Sequence, residues 1–353
     1  MHMITIRKEL DIPCAYRLSR LGDPERLLFF DIETTGLSAY SSSLYLIGCV
    51  YLRNGRFQFV QWLCEGLSDE LPALRAFQEL MTDFDALVHF NGDTFDLPYL
   101  RTTAEHYGCP DPFENIRSID ILKLVRKKKR FLDLPHYRLK SIERFLGIFR
   151  DDLYTGGELI EVYHQFERTK NEDLKHLLLL HNEDDLKGMI RILPILNYCD
   201  LLDTPGVIVQ EAYTSASGST LFVHGKLDDV FPTAVSYETL EGSRIEVSGR
   251  TIVFQIPCFL GEMKYFYPNA KDYYYLPKED TAIHKKVASF VDPAFRKPAT
   301  KETCYIRSSG RFLPALPNMS APLFKKAWND KKGCFKIDDA DLQEYIHCTL
   351  KSI

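Results

Sequence analysis

Apolar residues are unevenly spread along this chain, and their spacing predicts most of its elements. Leu27 to Phe30 are four apolar residues in a row, as in a strand buried on both faces, and the run stops at Asp31-Ile32-Glu33-Thr34. Two more runs, 44–52 and 56–63, flank Asn54-Gly55, a pair that favours the tight mirror-image hairpin turn. Three consecutive antiparallel strands are therefore expected. From 69 to 84 the period becomes helical, through Leu71, Leu74, Phe77, Leu80 and Met81, with Ser68 as N-cap. A short strand follows over 86–90, then a helix from about Pro98 to Tyr107. A strand or strand end is expected within 118–124 and an amphipathic helix over 138–146, stopped by Gly147. Gly156-Gly157 reads as a loop, and 158–167 and 173–202 as helices, the second divided or kinked at Pro194. Residues 1–25, broken by Pro13 and Gly22-Asp23-Pro24, read as a lead-in arm.

This order predicts an α/β domain with a mixed sheet, three antiparallel strands then parallel ones, and flanking helices. No GxGxxG follows the first strand, which argues against a doubly wound dinucleotide fold. After Asp203-Thr-Pro-Gly206 the pattern changes to short alternating runs up to about 268, then to a mixture of aromatics, Lys and Pro ending in a helix near 338–350. The expected division is 1–205 and a β-rich region, 206–353, of unassigned role; 353 residues suit two domains.

Candidate chemistry begins at Asp31 and Glu33. Residues two apart on a strand share a face, so their carboxylates converge. Neighbouring acids repel and are costly to desolvate, and a hard divalent cation relieves both problems; alternatively the pair only opens the turn at Thr34-Thr35-Gly36. Asp96, at the entrance to a helix, is a further ligand or a cap; Asp93, beside Gly92, suits a turn. In His181-Asn-Glu-Asp-Asp185, His181 and Asp185 are four apart and share a helix face, while Glu183 and Asp184 are expected to meet solvent. Asp120 is expected near the site, as an indirect support or a cap.

Net charge is −5, which excludes binding of nucleic acid by bulk positive charge alone. Basic residues nevertheless cluster over 123–130, with Arg138, Lys140 and Arg144 following. They suit a solvated face or a track along a phosphate backbone. No apolar run reaches the roughly 20 residues of a membrane span, and the N-terminus carries no apolar signal core. Nine scattered cysteines without a CxxC suggest neither a disulfide framework nor a zinc site. A cytoplasmic location without membrane association is expected.

Asp31-Ile-Glu-Thr-Thr-Gly-Leu37 resembles the first motif of the DEDD, or DnaQ-like, 3′–5′ exonuclease superfamily, whose fold is ribonuclease H-like. Asn91-Gly-Asp-Thr-Phe-Asp96 is similar to the second motif, and His181 to Asp185 occupies the third. His181 stands where the tyrosine branch places its Tyr, and the histidine branch spaces its His one residue further. This departure is similar to the YprB-like ribonuclease H-like family, which 118–130, 138–153 and 156–163 also resemble. The resemblance covers about residues 26–200. It implies that Asp31, Glu33, Asp96 and Asp185 bind two Mg²⁺ or Mn²⁺ ions and that His181 orients or deprotonates the attacking water. It also implies that Thr34, Thr35, Gly36, Leu37 and Phe95 contact the terminal nucleotide, Leu37 as a wedge. Asn91 would hold the second-motif loop or a substrate phosphate, and Lys140 would join the backbone track. The expected activity is hydrolysis of single-stranded or frayed DNA or RNA. The rival expectation is a non-catalytic nucleic-acid-binding module, or a scaffold that recruits a partner through 206–353.

Overall fold

In the computed structural model, which describes residues 3–149, 156–316, 323–337 and 342–353, the run Leu27–Thr34 is a central strand. Numbered in chain order, the strands of its sheet are β1 (Ile4–Leu10), β2 (Leu27–Thr34), β3 (Leu44–Arg53), β4 (Arg56–Leu63), β5 (Ala86–His89) and β6 (Arg117–Asp120). Their spatial order is β1-β4-β3-β2-β5-β6. Pairing is antiparallel from β1 to β2 and parallel from β2 through β5 to β6, the mixed sheet of a ribonuclease H-like fold. Asn54 and Gly55 turn the β3–β4 hairpin with φ of 51° and 75°, the conformation that the mirror-image turn requires.

Helices cover both faces. The helices of this part are α1 (Glu70–Met81), α2 (Asp96–His106), α3 (Ile121–Lys127), α4 (Lys129–Leu132), α5 (Leu139–Phe145), α6 (Gly156–Thr169), α7 (Glu172–Arg191) and α8 (Ile195–Asp203). Leu28, Phe30 and Ile32 point into a core with Leu74 and Phe77 of α1 and Leu100 of α2. In a second core, Tyr45 and Leu63 meet Tyr163 and Phe166 of α6 and Leu178 of α7.

Several elements differ from the sequence expectation. The lead-in arm contains a strand, β1, which extends the sheet beyond β4. Arg7, Lys8 and Glu9 interrupt its apolar alternation because an edge strand leaves much of its surface in water. Ser68 does not cap α1; it lies in a short turn before Glu70. Gly156-Gly157 is the first turn of α6, where backbone N–H groups need no helical acceptor and glycine costs little. Within 118–124 the strand ends at Asp120, whose carboxylate accepts from the Lys123 N–H and caps α3. Pro194 falls between α7 and α8 and divides them.

The chain forms two units, Met1–Cys199 and Asp200–Ile353, divided within α8. In the second, β7 (Val207–Thr214), β8 (Thr220–Glu238) and β9 (Arg244–Pro257) make an antiparallel sheet. Strands β10 (Phe259–Phe266), β11 (Tyr273–Leu276) and β12 (Thr281–His284) precede the short helix α9 (Lys285–Ala288). After it come β13 (Lys297–Pro298), β14 (Tyr305–Pro314), β15 (Leu323–Lys325), β16 (Cys334–Ile337) and the helix α10 (Leu342–Lys351). Of these, β10, β14, β16 and β15 close a small barrel, and β12, β11 and β13 form a separate sheet. The expected final helix thus starts at Leu342 among the described residues; 338–341 lie outside them.

Candidate metal centre

Alternation along β2 sends Phe30 and Ile32 into the α1 side of the sheet and leaves Asp31 and Glu33 on the other. Asp31 lies in register with Gly48 of β3, and Gly48 with Gln61 of β4. Helix α7 crosses this row. A Cβ on Gly48 would sit 1.9 Å from Asn182 Oδ1 and 2.7 Å from Leu186 Cδ1, so the missing side chain is what lets α7 approach. Gln61 Nε2 donates to Asn182 Oδ1 at 2.8 Å, and Asn182 Nδ2 donates to Asp31 Oδ2 at 2.9 Å. The α7 helix is thereby fixed in rotation as well as in place.

That rotation presents His181 and Asp185 to β2. His181 Nε2 is 3.7 Å from Glu33 Oε1 and 3.6 Å from Asp185 Oδ2. Ligand atoms of Glu33, His181 and Asp185 lie within 4.8 Å of one another. Tyr45 completes the edge of the group, its hydroxyl 3.5 Å from Glu33 Oε2. Asp96 opens α2 and is buried; its Oδ1 accepts from the backbone N–H of Ile32, between the two acids of β2. Glu183 is not at the solvent face. It is buried and joins β1 to α7, with Lys8 Nζ and Lys187 Nζ each 2.6 Å from its carboxylate. Helix geometry carries Glu183 two residues round from Asp185, onto the side where β1 extends the sheet.

Electrostatics oppose ionisation of the whole set. Burial pushes the Asp31 carboxyl well above the usual range; Glu33, Asp96 and Asp185 add to this, and the Asn182 hydrogen bond opposes it. Burial, with Asp185 and Asp96, pushes Glu33 up to about 8. Asp96 is pushed up to about 7 by burial, against the stabilising donor at Ile32. Four carboxylates and an imidazole offer mainly hard oxygen donors, and a divalent cation would remove the cost of ionising them together. By donor chemistry the residues fit such an ion.

Asp120 serves the loop and does not join this group. Its carboxylate accepts from the N–H of Asn91 at 3.0 Å and of Asp93 at 3.4 Å as well as from Lys123. Asn91 has a φ of 70°, and these bonds hold the loop that delivers Asp96. Gly92 is needed there because a Cβ would lie 2.6 Å from the His89 ring. The ligand atoms of His89, Asp93 and Asp120 also lie within 4.8 Å of one another. Their partners are inside the protein: His89 Nδ1 accepts from Gly92 N–H, His89 Nε2 meets Ser118 Oγ at 2.8 Å, and Lys123 Nζ pairs with Asp93 at 2.9 Å.

The remaining expected residues each have their own local setting. Thr34 Oγ1 donates to the Gly36 carbonyl, and Thr35 Oγ1 accepts from the Ser43 N–H, so both hydroxyls shape the turn. Leu37 beyond it is 89% exposed. Phe95 is half-buried, its ring 5.7 Å from that of Tyr99. Lys140 is half-buried on α5, and Asn91 lines a cavity together with Asp31 and Asp185.

The sequence model of a family described as the RNase H superfamily matches residues 28–197. Together with the mixed sheet it spans, that match gives this segment a ribonuclease H-like fold. Protein YprB of Bacillus subtilis is 27% identical over 183 residues, covering 50% of this chain and 44% of YprB. A PolC-type DNA polymerase III of Pediococcus pentosaceus is 23% identical over 276 residues, covering 61% of this chain and 19% of the polymerase. The chain thus spans less than half the length of either relative. Among solved structures, the family B DNA polymerase of the archaeon Pyrobaculum calidifontis aligns with 72% of this chain and 37% of its own, at 15% identity and a TM-score of 0.41.

Within this ribonuclease H-type unit, the sequence reading misses Gly48, Gln61 and Asn182. Asn182 adjoins His181 and is fully buried, yet nothing local distinguishes it from a solvated helical residue. The available signal is Gly48 inside an otherwise bulky apolar strand, since an interior strand glycine marks the close approach of another segment.

Proposed function

We propose that this chain is a metal-dependent nuclease acting as a 3′–5′ exonuclease on single-stranded or frayed DNA or RNA. The observation that carries this reading is the convergence of Asp31 and Glu33 of β2, Asp96 of α2, and His181 and Asp185 of α7. Relatedness to a PolC-type DNA polymerase III supports a nucleic-acid substrate.

Two Mg²⁺ or Mn²⁺ ions held by Asp31, Glu33, Asp96 and Asp185 would stabilise charge on the attacking and leaving oxygens of a phosphodiester. Asn182 orients the Asp31 carboxylate. His181, within 4 Å of both Glu33 and Asp185, orients the attacking water and takes its proton at Nε2. Asn91 holds a substrate phosphate beside Asp31 and Asp185. Leu37 wedges against the terminal base, Phe95 packs on the terminal nucleotide, and Thr34, Thr35 and Gly36 set the turn that carries the wedge.

We assign catalysis to residues 1–205 and leave 206–353 as a β-rich region of unassigned role. Nine free thiols suit a reducing compartment, here taken as the cytoplasm.

The test is digestion of 5′-labelled single strands with Mn²⁺ or Mg²⁺. A ladder shortening from the 3′ end, lost in Asp31→Ala plus Glu33→Ala, is expected. Intact substrate, or undiminished cleavage by the double variant, contradicts the reading.

A further inference from the structure

Beside the acidic group lies a cavity of about 360 Å³, within the size range of small-ligand sites. Asp31, Asp185 and Asn91 line it together with Arg126 of α3 and with Tyr137 and Arg138, the last two just before α5. Phe90, Leu122, Leu139 and Met189 supply apolar wall. The cavity lining therefore combines acids with cations.

Both arginines are exposed, and neither pairs with a carboxylate among the described residues. In this they differ from Lys8, Lys123 and Lys187 of the same unit, which are held by Glu183 or Asp93. Tyr137 is fixed instead, its hydroxyl donating to the Lys129 carbonyl at 3.1 Å. A phosphodiester approaching a group of four carboxylates is repelled unless cations face it from the other side. Two uncommitted guanidiniums, suited to forked contacts with phosphate oxygens, meet that need. A fixed aromatic ring between apolar walls suits one nucleoside, because any base can stack on it.

We infer that Arg126, Tyr137 and Arg138 form a subsite for one nucleotide of a single strand, with the arginines on the phosphate next to the one cleaved. The inference rests on the nuclease reading of the same site and adds to it the residues that seat the strand. Contacts of this kind carry no sequence information, so the subsite accepts any base.

The test uses the full chain and a 5′-fluorescein oligothymidylate of 12 nucleotides. Anisotropy titrations in EDTA between 50 and 200 mM salt measure binding, and Mn²⁺-dependent digestion measures KM. Arg126→Gln plus Arg138→Gln is expected to weaken binding roughly tenfold. It should also lower the slope of log affinity against log salt by about 1.4, or about 0.7 for each phosphate contact. Tyr137→Leu should weaken binding with the slope kept, and the double Lys variant should restore the slope. Arg56→Gln, at the β3–β4 turn and paired with Glu9, serves as the control and should leave affinity and slope as in wild type.

Unchanged affinity and slope in the double Gln variant, with a wild-type melting curve, would overturn the subsite, as would a wild-type chain that does not bind the oligonucleotide. The two readings fail separately. Digestion with unaltered KM and slope removes the subsite and leaves the nuclease. Arginine-dependent binding without digestion removes the nuclease and leaves a single-strand binding site.

Discussion

Gly48 of β3 and Asn182 of α7 occupy nearly the same space: a Cβ on Gly48 would fall 1.9 Å from Asn182 Oδ1. The contact fixes how closely α7 approaches the sheet, and with it where His181 and Asp185 stand relative to Asp31 and Glu33. Gly48→Ala must push the helix away or displace Asn182. Overpacking of this kind costs about 1–3 kcal/mol. A lower thermal midpoint is expected, with a loss of Mn²⁺-dependent activity larger than the loss of folded protein at the assay temperature.

Asn182 links Gln61 to Asp31, and both amide side chains are buried. Asn182→Leu leaves one hydrogen of the Gln61 amide without an acceptor, the Leu179 carbonyl still holding the other at 2.9 Å, and an unsatisfied buried donor costs about 1–3 kcal/mol. Gln61→Leu plus Asn182→Leu removes both polar partners and should recover part of that stability without recovering activity, because Asp31 still lacks its orienting donor. Urea unfolding of the single and double variants, with digestion rates alongside, measures this.

The acids make the metal-free protein sensitive to pH. Burial chiefly pushes the Glu33 carboxyl up to about 8 and the Asp96 carboxyl up to about 7 in the folded chain. A raised folded-state value favours the folded chain fully below the unfolded value, and the benefit disappears as pH rises through the folded value. In EDTA the thermal midpoint should therefore fall between about pH 4.5 and 8. Added Mn²⁺ should raise the midpoint more at pH 8 than at pH 5, since only ionised carboxylates bind it strongly. Scanning calorimetry across that range checks both signs.

His181 is assigned to the water and not to the metal. His181→Ala should lower kcat by about 10²–10⁴, the usual contribution of a positioned base. Mn²⁺ affinity should stay near wild type. A comparable loss of metal affinity in His181→Ala would make the imidazole a ligand instead.

Asp120 governs the loop that carries Asp96. Asp120→Ala removes the acceptor for Asn91, Asp93 and Lys123; loss of a helix cap alone costs about 0.5–2 kcal/mol. Asp120→Asn retains an acceptor and should recover most of the stability and activity, as measured by melting and digestion rate.

Local periodicity made β2, the β3–β4 hairpin and α7 legible, because each buries a regular stripe. It also placed Asp31 with Glu33, and His181 with Asp185, on common faces. What it lacked was the third dimension. Glu183 reads as a solvated helix residue until β1 brings Lys8 to it, 175 positions away. Edge strand β1 escaped notice because charges break its alternation. Gln61 and Asn182 look like ordinary polar residues, and their meeting, 121 positions apart, depends on the space left by Gly48. Nor does the spacing of Arg126 and Arg138 show that both line a cavity with Asp31; two helices must fold before they do.

Asp31, Glu33, Asp96 and Asp185 are proposed to form one divalent-cation centre. Calorimetric titration of the metal-free chain with Mn²⁺ tests it most directly, with Asp31→Asn and Asp185→Asn in parallel. The account predicts two ions bound per chain, with stoichiometry or affinity reduced in each variant. Absence of binding by wild type, or identical isotherms for all three proteins, would contradict it.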